Sequence, residues 1–234
     1  MLHPNALKAH EIAEALGALV IPVCHSKKPK YRFWRGLDYA SCLTKDLLEI
    51  YDDETNVAVV QGEPSSSLIS IDFDEAKALK EFLALNPALK ETLTTSAARG
   101  ANLWFKMRGN YPPLTRLKRG RLIWAEWRST GAFTVIHGIH EKGMPYTSNE
   151  KEPINISLGD IVLPEDVIFK TSKGLTSSEQ LNAVPATTPL HTAPCTSAHL
   201  HNIQTPKDSD LDALIIEDAE PSTCLLYTSP SPRD

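Results

Sequence analysis

A chain of 234 residues with 41% apolar content has room for one domain with a proper core and a tail, and its net charge of −5 argues against a general nucleic-acid coat protein. The four cysteines, at 24, 42, 195 and 224, show neither metal-ligand spacing nor the density of a disulfide framework, which points to a reducing, intracellular setting. No apolar run approaches membrane-spanning length, and the opening segment with His3 and Pro4 has no signal-peptide core, so a soluble, cytoplasmic protein is expected.

In chain order, apolar and small residues at 9, 12, 13 and 16 followed by Gly17 predict a helix over Ala6–Leu16. Ala18–Val23 is a short apolar run that Pro22 demotes to a strand end or a sheet edge. His25–Lys30 with Trp34 and Arg35 forms a basic loop holding an aromatic, read either as a phosphate-holding loop or as a solvated turn. Thr44 is the expected N-cap of a helix to about Tyr51, and Asn56–Val60 reads as a buried strand.

Ser67–Glu75 is the pivotal stretch. A period of two puts Ile69, Ile71 and Phe73 on one face and Ser70, Asp72 and Asp74 on the other. Alternate residues of a strand lie roughly 7 Å apart, so the two carboxylates can lean toward one divalent cation or a close pair. The strand runs into a predicted helix over Glu75–Leu85, striped by Ala78, Leu79, Phe82 and Leu83 and ended by Asn86-Pro87. That helix covers the apolar face and leaves the acidic face open.

Thr94–Gly100 is a small-residue turn into a strand over Ala101–Lys106, with Leu103 and Phe105 inward and Asn102, Trp104 and Lys106 on the other face. Between Thr92 and Ala125 there are seven cations, Arg99, Lys106, Arg108, Arg116, Lys118, Arg119 and Arg121, and no acid. A one-sign block between acidic segments suits a place where phosphate meets a carboxylate-bound metal. Leu122–Arg128 is then expected to carry Trp124, Glu126 and Arg128 on one face. Ala132–Ile136 follows as a strand, and His137, His140, Gly143 and Tyr146 as a hairpin whose histidines lack a third zinc ligand at suitable spacing.

Beyond Lys170 the periodicity dissolves. Thr171–Asp208 is rich in Ser, Thr, Pro, Ala and His and reads as a linker, with a short acidic helix expected over Leu211–Glu220. Cys224–Asp234 resembles the translation of a transposon-end sequencing adapter. The expected organisation is a catalytic domain over 1–170, a disordered linker over 171–223 and a non-native tail over 224–234 in a broken gene fragment.

Three pieces stand in order: Asp72-x-Asp74, Ser96-Ala-Ala-Arg99-Gly100-Ala-Asn102 and Glu126-x-Arg128. The order resembles the archaeo-eukaryotic primase superfamily, and specifically the bifunctional DNA primase/polymerase N-terminal domain of plasmids, phages and integrated elements. Ile21-Pro22 with Lys28-Pro29 and Trp34, Asn56–Gly62, and His137-x-x-His140-x-x-Gly143-x-x-Tyr146 resemble that domain's flanking segments, and the likeness spans about 8 to 170. It implies an α/β (α+β) fold: an RRM-like, mostly antiparallel sheet with helices on one face, beside a small N-terminal unit. It also implies Asp72, Asp74 and Glu126 as catalytic carboxylates holding Mg²⁺ or Mn²⁺, and hard divalent cations do take oxygen ligands. Ser96, Arg99, Gly100, Asn102, Arg128 and His140 are expected around the nucleotide, and Lys28, Lys106, Arg108, Lys118, Arg119 and Arg121 along single-stranded DNA. The implied partners are a template strand, NTP or dNTP and a replicative helicase domain further along the chain.

One position departs from the family pattern, which ends its second motif with histidine where this chain has Asn102. Asparagine donates a hydrogen bond to phosphate but carries no charge. The leading reading is template-directed nucleotidyl transfer, and the alternative is a weakened replication module that binds nucleic acid or nucleotide. An Asp-x-Asp glycosyltransferase also binds a metal and a nucleotide, yet has no required place for Ser96-x-x-Arg99-Gly100 or Glu126-x-Arg128.

Overall fold

The computed structural model describes residues 2–171 and 174–176. The first helix, α1 (Pro4–Leu16), starts where Pro4 suits a first-turn position and His3 accepts the Asn5 N–H, and it stops at Gly17, whose φ of +60° closes the last turn. Ala6, Ala9, Ala13 and Leu16 are buried, so the small side chains let α1 lie close on the strands beneath it. Those are β1 (Val20–Cys24) and β2 (Thr55–Val60), antiparallel with Pro22 opposite Val57 on the edge strand, as proline requires.

The helix expected from Thr44 to Tyr51 is a single turn, α3 (Lys45–Leu48), with Thr44 at its N-cap position, and another single turn, α2 (Tyr39–Cys42), precedes it. Asp38 caps α2 by accepting the Ser41 N–H. Thr44 spends its hydroxyl on the Ser41 carbonyl rather than on capping α3.

The chain then builds β3 (Leu68–Phe73), α4 (Ala76–Leu85), β4 (Thr94–Ser96), β5 (Ala101–Arg108), β6 (Thr115–Arg119), β7 (Leu122–Arg128), β8 (Phe133–His137), β9 (Thr147–Ser148), β10 (Ile154–Ser157), β11 (Val167–Thr171) and β12 (Gly174–Thr176). Among the described residues the larger sheet runs β12-β11-β6-β7-β3-β5-β4-β9, with β10 parallel beside β5 and the other pairs antiparallel. The smaller sheet is β1-β2-β8, so a strand from far along the sequence completes the N-terminal unit. This is the mostly antiparallel α+β architecture that the resemblance implies. β12 extends the larger sheet past residue 170; the expected helix over 211–220 and the tail over 224–234 lie outside the described residues.

Two cores follow from the alternation. Ile69, Ile71 and Phe73 point with Leu103 and Phe105 toward α4, where Phe82 lies 5.3 Å from Phe73 between ring centres. On the opposite face Leu68 and Trp104 join the cluster under α1 and the smaller sheet. Between the sheets the Gln61 amide donates to Ser70 Oγ at 2.9 Å, and Ser70 lies 3.3 Å from Thr134 Oγ1. Past this buried polar contact, along the same face of β3, comes Asp72.

Candidate active site

Strand pairing lines up one transverse row: Thr95 on β4, Asn102 on β5, Asp72 on β3, Glu126 on β7 and Arg116 on β6. Side chains opposite one another on neighbouring strands share a face, and like charges so placed repel. Asp72 opposite Glu126 is such a pair. Arg128, two residues along the same face of β7, compensates it: one guanidinium nitrogen lies 2.9 Å from Asp72 Oδ2 and 2.9 Å from Glu126 Oε2. A second arginine, Arg116, approaches Glu126 Oε1 at 3.5 Å.

Asp74 follows the end of β3, where Gly100 allows the next loop to press in. Gly100 has φ +72°, and a Cβ there would lie 1.9 Å from the Phe73 carbonyl oxygen. Both the left-handed backbone and the close approach therefore require glycine. Gly100→Ala is expected to cost about 2–4 kcal/mol through overlap and strain, read as a lowered midpoint of thermal unfolding. An unchanged midpoint would show that the 96–102 loop does not rest on β3 in this way.

Asp72, Asp74, Ser96, Arg99, Gly100, Asn102, Lys118, Glu126, Arg128 and His140 all line one open cavity of about 730 Å³. Burial pushes the Asp72 carboxyl above its ordinary range; Arg128 opposes this, while Asp74 and Glu126 add to it. The carboxylate is thus close to a cation and still short of positive charge.

Other expected residues stand elsewhere. Lys106 and Arg108 lie toward the far end of β5, where Arg108 is 3.8 Å from Asp160. Arg119 turns to the helix side of the sheet, 2.7 Å from Glu81 and 2.8 Å from Asp166. Lys28 and Arg121 do not line the cavity, and Lys27 takes the place expected of Lys28. Trp124 does not share a face with Glu126. The β6–β7 register shifts at Leu117/Lys118, and the extra residue turns Trp124 into the core, with its ring centre 5.4 Å from that of Phe73 and its N–H on Glu81.

The structure adds Arg116, Trp34, Arg35, Phe133 and Tyr146 to the lining. The Tyr146 hydroxyl is buried without a hydrogen-bond partner among the described residues, and burial, with Asp72 nearby, pushes its pKa up to about 12. The hairpin carrying it is anchored by Asn56, whose amide donates to the Ile139 carbonyl at 2.7 Å and accepts the Ile139 N–H at 2.8 Å.

Among the described residues no three His, Cys, Asp or Glu side chains are arranged as a ligand set, consistent with Arg128 standing between Asp72 and Glu126. The donors nonetheless fit a hard divalent cation. They are oxygens, their charge is incompletely compensated, and the Asn102 Oδ1 on the same row is a buried acceptor with no partner among the described residues.

No helix among the described residues is long and apolar enough to cross a membrane. Comparison with curated proteins gives no significant match. The family model for the N-terminal domain of bifunctional DNA primase/polymerases matches residues 9–158, from within α1 to the end of β10 and so across the whole acid row. Primase/polymerase-type nucleotidyl transfer in replication, on DNA and nucleotide substrates and generally with divalent metals, is what this domain implies. The chain belongs to the bifunctional DNA primase/polymerase N-terminal family.

Proposed function

We propose that residues 1–170 form a DNA primase/polymerase that adds nucleotides to a strand paired with a single-stranded DNA template, in the replication of a plasmid, phage or integrated element. The observation that carries the reading is the row Asn102–Asp72–Glu126–Arg116, with Arg128 between the two acids. Acids and guanidiniums interleaved in one open cavity fit a substrate that brings triphosphate and metal together.

Asp72, Asp74 and Glu126 would hold Mg²⁺ or Mn²⁺, which supplies charge neutralisation at the triphosphate and lowers the pKa of the attacking hydroxyl. Arg99 and Arg116 both line the cavity and would take phosphate oxygens, which a planar guanidinium binds in a forked geometry. Ser96, 2.9 Å from Thr147 Oγ1, ties the motif-bearing loop to β9. A replicative helicase as partner and a cytoplasmic setting suit this activity.

The test is primer synthesis and extension on single-stranded DNA with Mg²⁺ or Mn²⁺, comparing wild type with Asp74→Asn. Metal-dependent product from the wild type and none from the variant is expected; equal product from both would overturn the reading. Asn102 refines it. Asn102→His gives the row a donor able to carry charge, and charged contacts are about twice as strong as neutral ones, so the apparent nucleotide affinity is expected to rise roughly tenfold. If both forms are inert yet bind single-stranded DNA, the protein is a binding module. If the substitution harms an active enzyme, Asn102 is the working residue.

A further inference from the structure

The segment between β1 and α2 carries an exposed aromatic that the acid row does not use. From His25 to Leu37 there are five cations, Lys27, Lys28, Lys30, Arg32 and Arg35, and no acid. Lys30 is neutralised at 2.7 Å by Asp52. Arg32 and Arg35 have no ion-pair partner among the described residues and lie instead against rings. The Arg32 guanidinium is 5.8 Å from the Phe33 ring centre and that of Arg35 is 4.5 Å from the centre of Trp34.

Phe33 is 68% exposed and braced edge-on by Tyr31 at 6.2 Å. A lone exposed apolar residue is ordinary. This one is followed by Trp34 and flanked in sequence by Arg32 and Arg35, and the loop adjoins the cavity: Trp34 and Arg35 line it, and Trp34 packs edge-on at 5.3 Å against Phe133, also a lining residue.

A π-face flanked by cations matches an unpaired base between backbone phosphates, whereas a base inside a duplex has no free face to offer. We infer that Phe33 is a stacking platform for one base of single-stranded DNA entering the cavity, with Arg32 and Arg35 on the adjoining phosphates. This rests on the proposed template-directed activity and assigns the template a surface. It places the strand on the N-terminal loop rather than on Lys106 and Arg108.

The experiment measures binding of a labelled oligothymidylate, and of a duplex of the same length, by fluorescence anisotropy in EDTA at several salt concentrations. Phe33→Ala is expected to weaken single-strand binding about tenfold with an unchanged salt slope, to spare duplex binding, and to leave the unfolding midpoint unchanged. Phe33→Tyr should retain the affinity. Arg32→Gln with Arg35→Gln should reduce the slope of log affinity against log salt by about 1.4, the value for two phosphates of a single strand.

Single-strand affinity of Phe33→Ala within twofold of wild type, or an equal loss on duplex, would overturn the inference. Binding needs no turnover. A chain that lost the strand with Phe33 but never extended a primer would refute the proposed activity and leave this surface standing.

Discussion

Asp72→Asn is expected to lower metal-dependent nucleotide addition by at least about 10³-fold, because a site that loses several kcal/mol of metal-borne charge stabilisation loses that much rate. The same substitution is expected to preserve the fold and raise its stability in EDTA. Asp72 is held above its ordinary range first by burial and then by Asp74 and Glu126, against the pull of Arg128. A carboxyl whose folded value is raised contributes stability that is complete below the unfolded value, about pH 4, and lost as the pH rises through the folded value. Asparagine stays neutral throughout. The variant's advantage in unfolding midpoint should therefore open as the pH rises from about 4 and level off above the folded value of Asp72. Thermal melts across that range check it, and a variant less stable than wild type at neutral pH would show that the Arg128 contact outweighs the burial.

Arg128→Gln is the second large effect. It removes the guanidinium between Asp72 and Glu126 and leaves two facing acids, each side chain about three-quarters buried, without their main counter-charge. Stranding buried charge costs about 3–5 kcal/mol in dry interiors. Partial exposure here lowers the expectation to about 2–3 kcal/mol, or several degrees in unfolding midpoint. A divalent cation can take the arginine's place, so millimolar Mn²⁺ should restore much of the lost midpoint and stabilise the variant more than the wild type. A midpoint drop that Mn²⁺ leaves untouched would mean that Arg128 is a packing residue and not the counter-ion of the acid row.

Much of this arrangement is legible in the sequence because a period of two is a strong constraint on a strand. Ile69, Ile71 and Phe73 against Ser70 and Asp72, and Leu103 and Phe105 against Asn102, fix which faces of β3 and β5 are apolar before any pairing is known. The failures come where the period breaks or where partners are distant. One extra residue in β7 reverses Trp124 relative to Glu126, and nothing local in Leu122–Arg128 announces that bulge.

The basic block reads as one field, yet the sheet sorts it by position and partner. Arg116 and Lys118 face the cavity, Arg119 is claimed by Glu81 and Asp166, and four further residues along β5 carry Lys106 away from Asn102 by about 13 Å. Tyr146 was visible as the last residue of the closing hairpin. Its position against the acids depends on Asn56, eighty-three residues before the backbone of Ile139 that it grips. The N-terminal unit likewise waits for β8, since β2 would otherwise be an apolar edge; pairing with Phe133–His137 covers it and brings Phe133 and Thr134 to the cavity wall.

In the proposed function the acid row of β3 and β7 would hold a metal ion, with Arg128 balancing its charge in the metal-free protein. Titration of Mn²⁺, followed by the loss of its free-ion paramagnetic resonance signal in the presence of a deoxynucleoside triphosphate, tests it most directly. Wild type is expected to take up Mn²⁺ beyond what the nucleotide alone binds, and Asp72→Asn to lose that uptake at an unchanged far-ultraviolet spectrum. Equal uptake by the two proteins, or none by the wild type, would contradict the account.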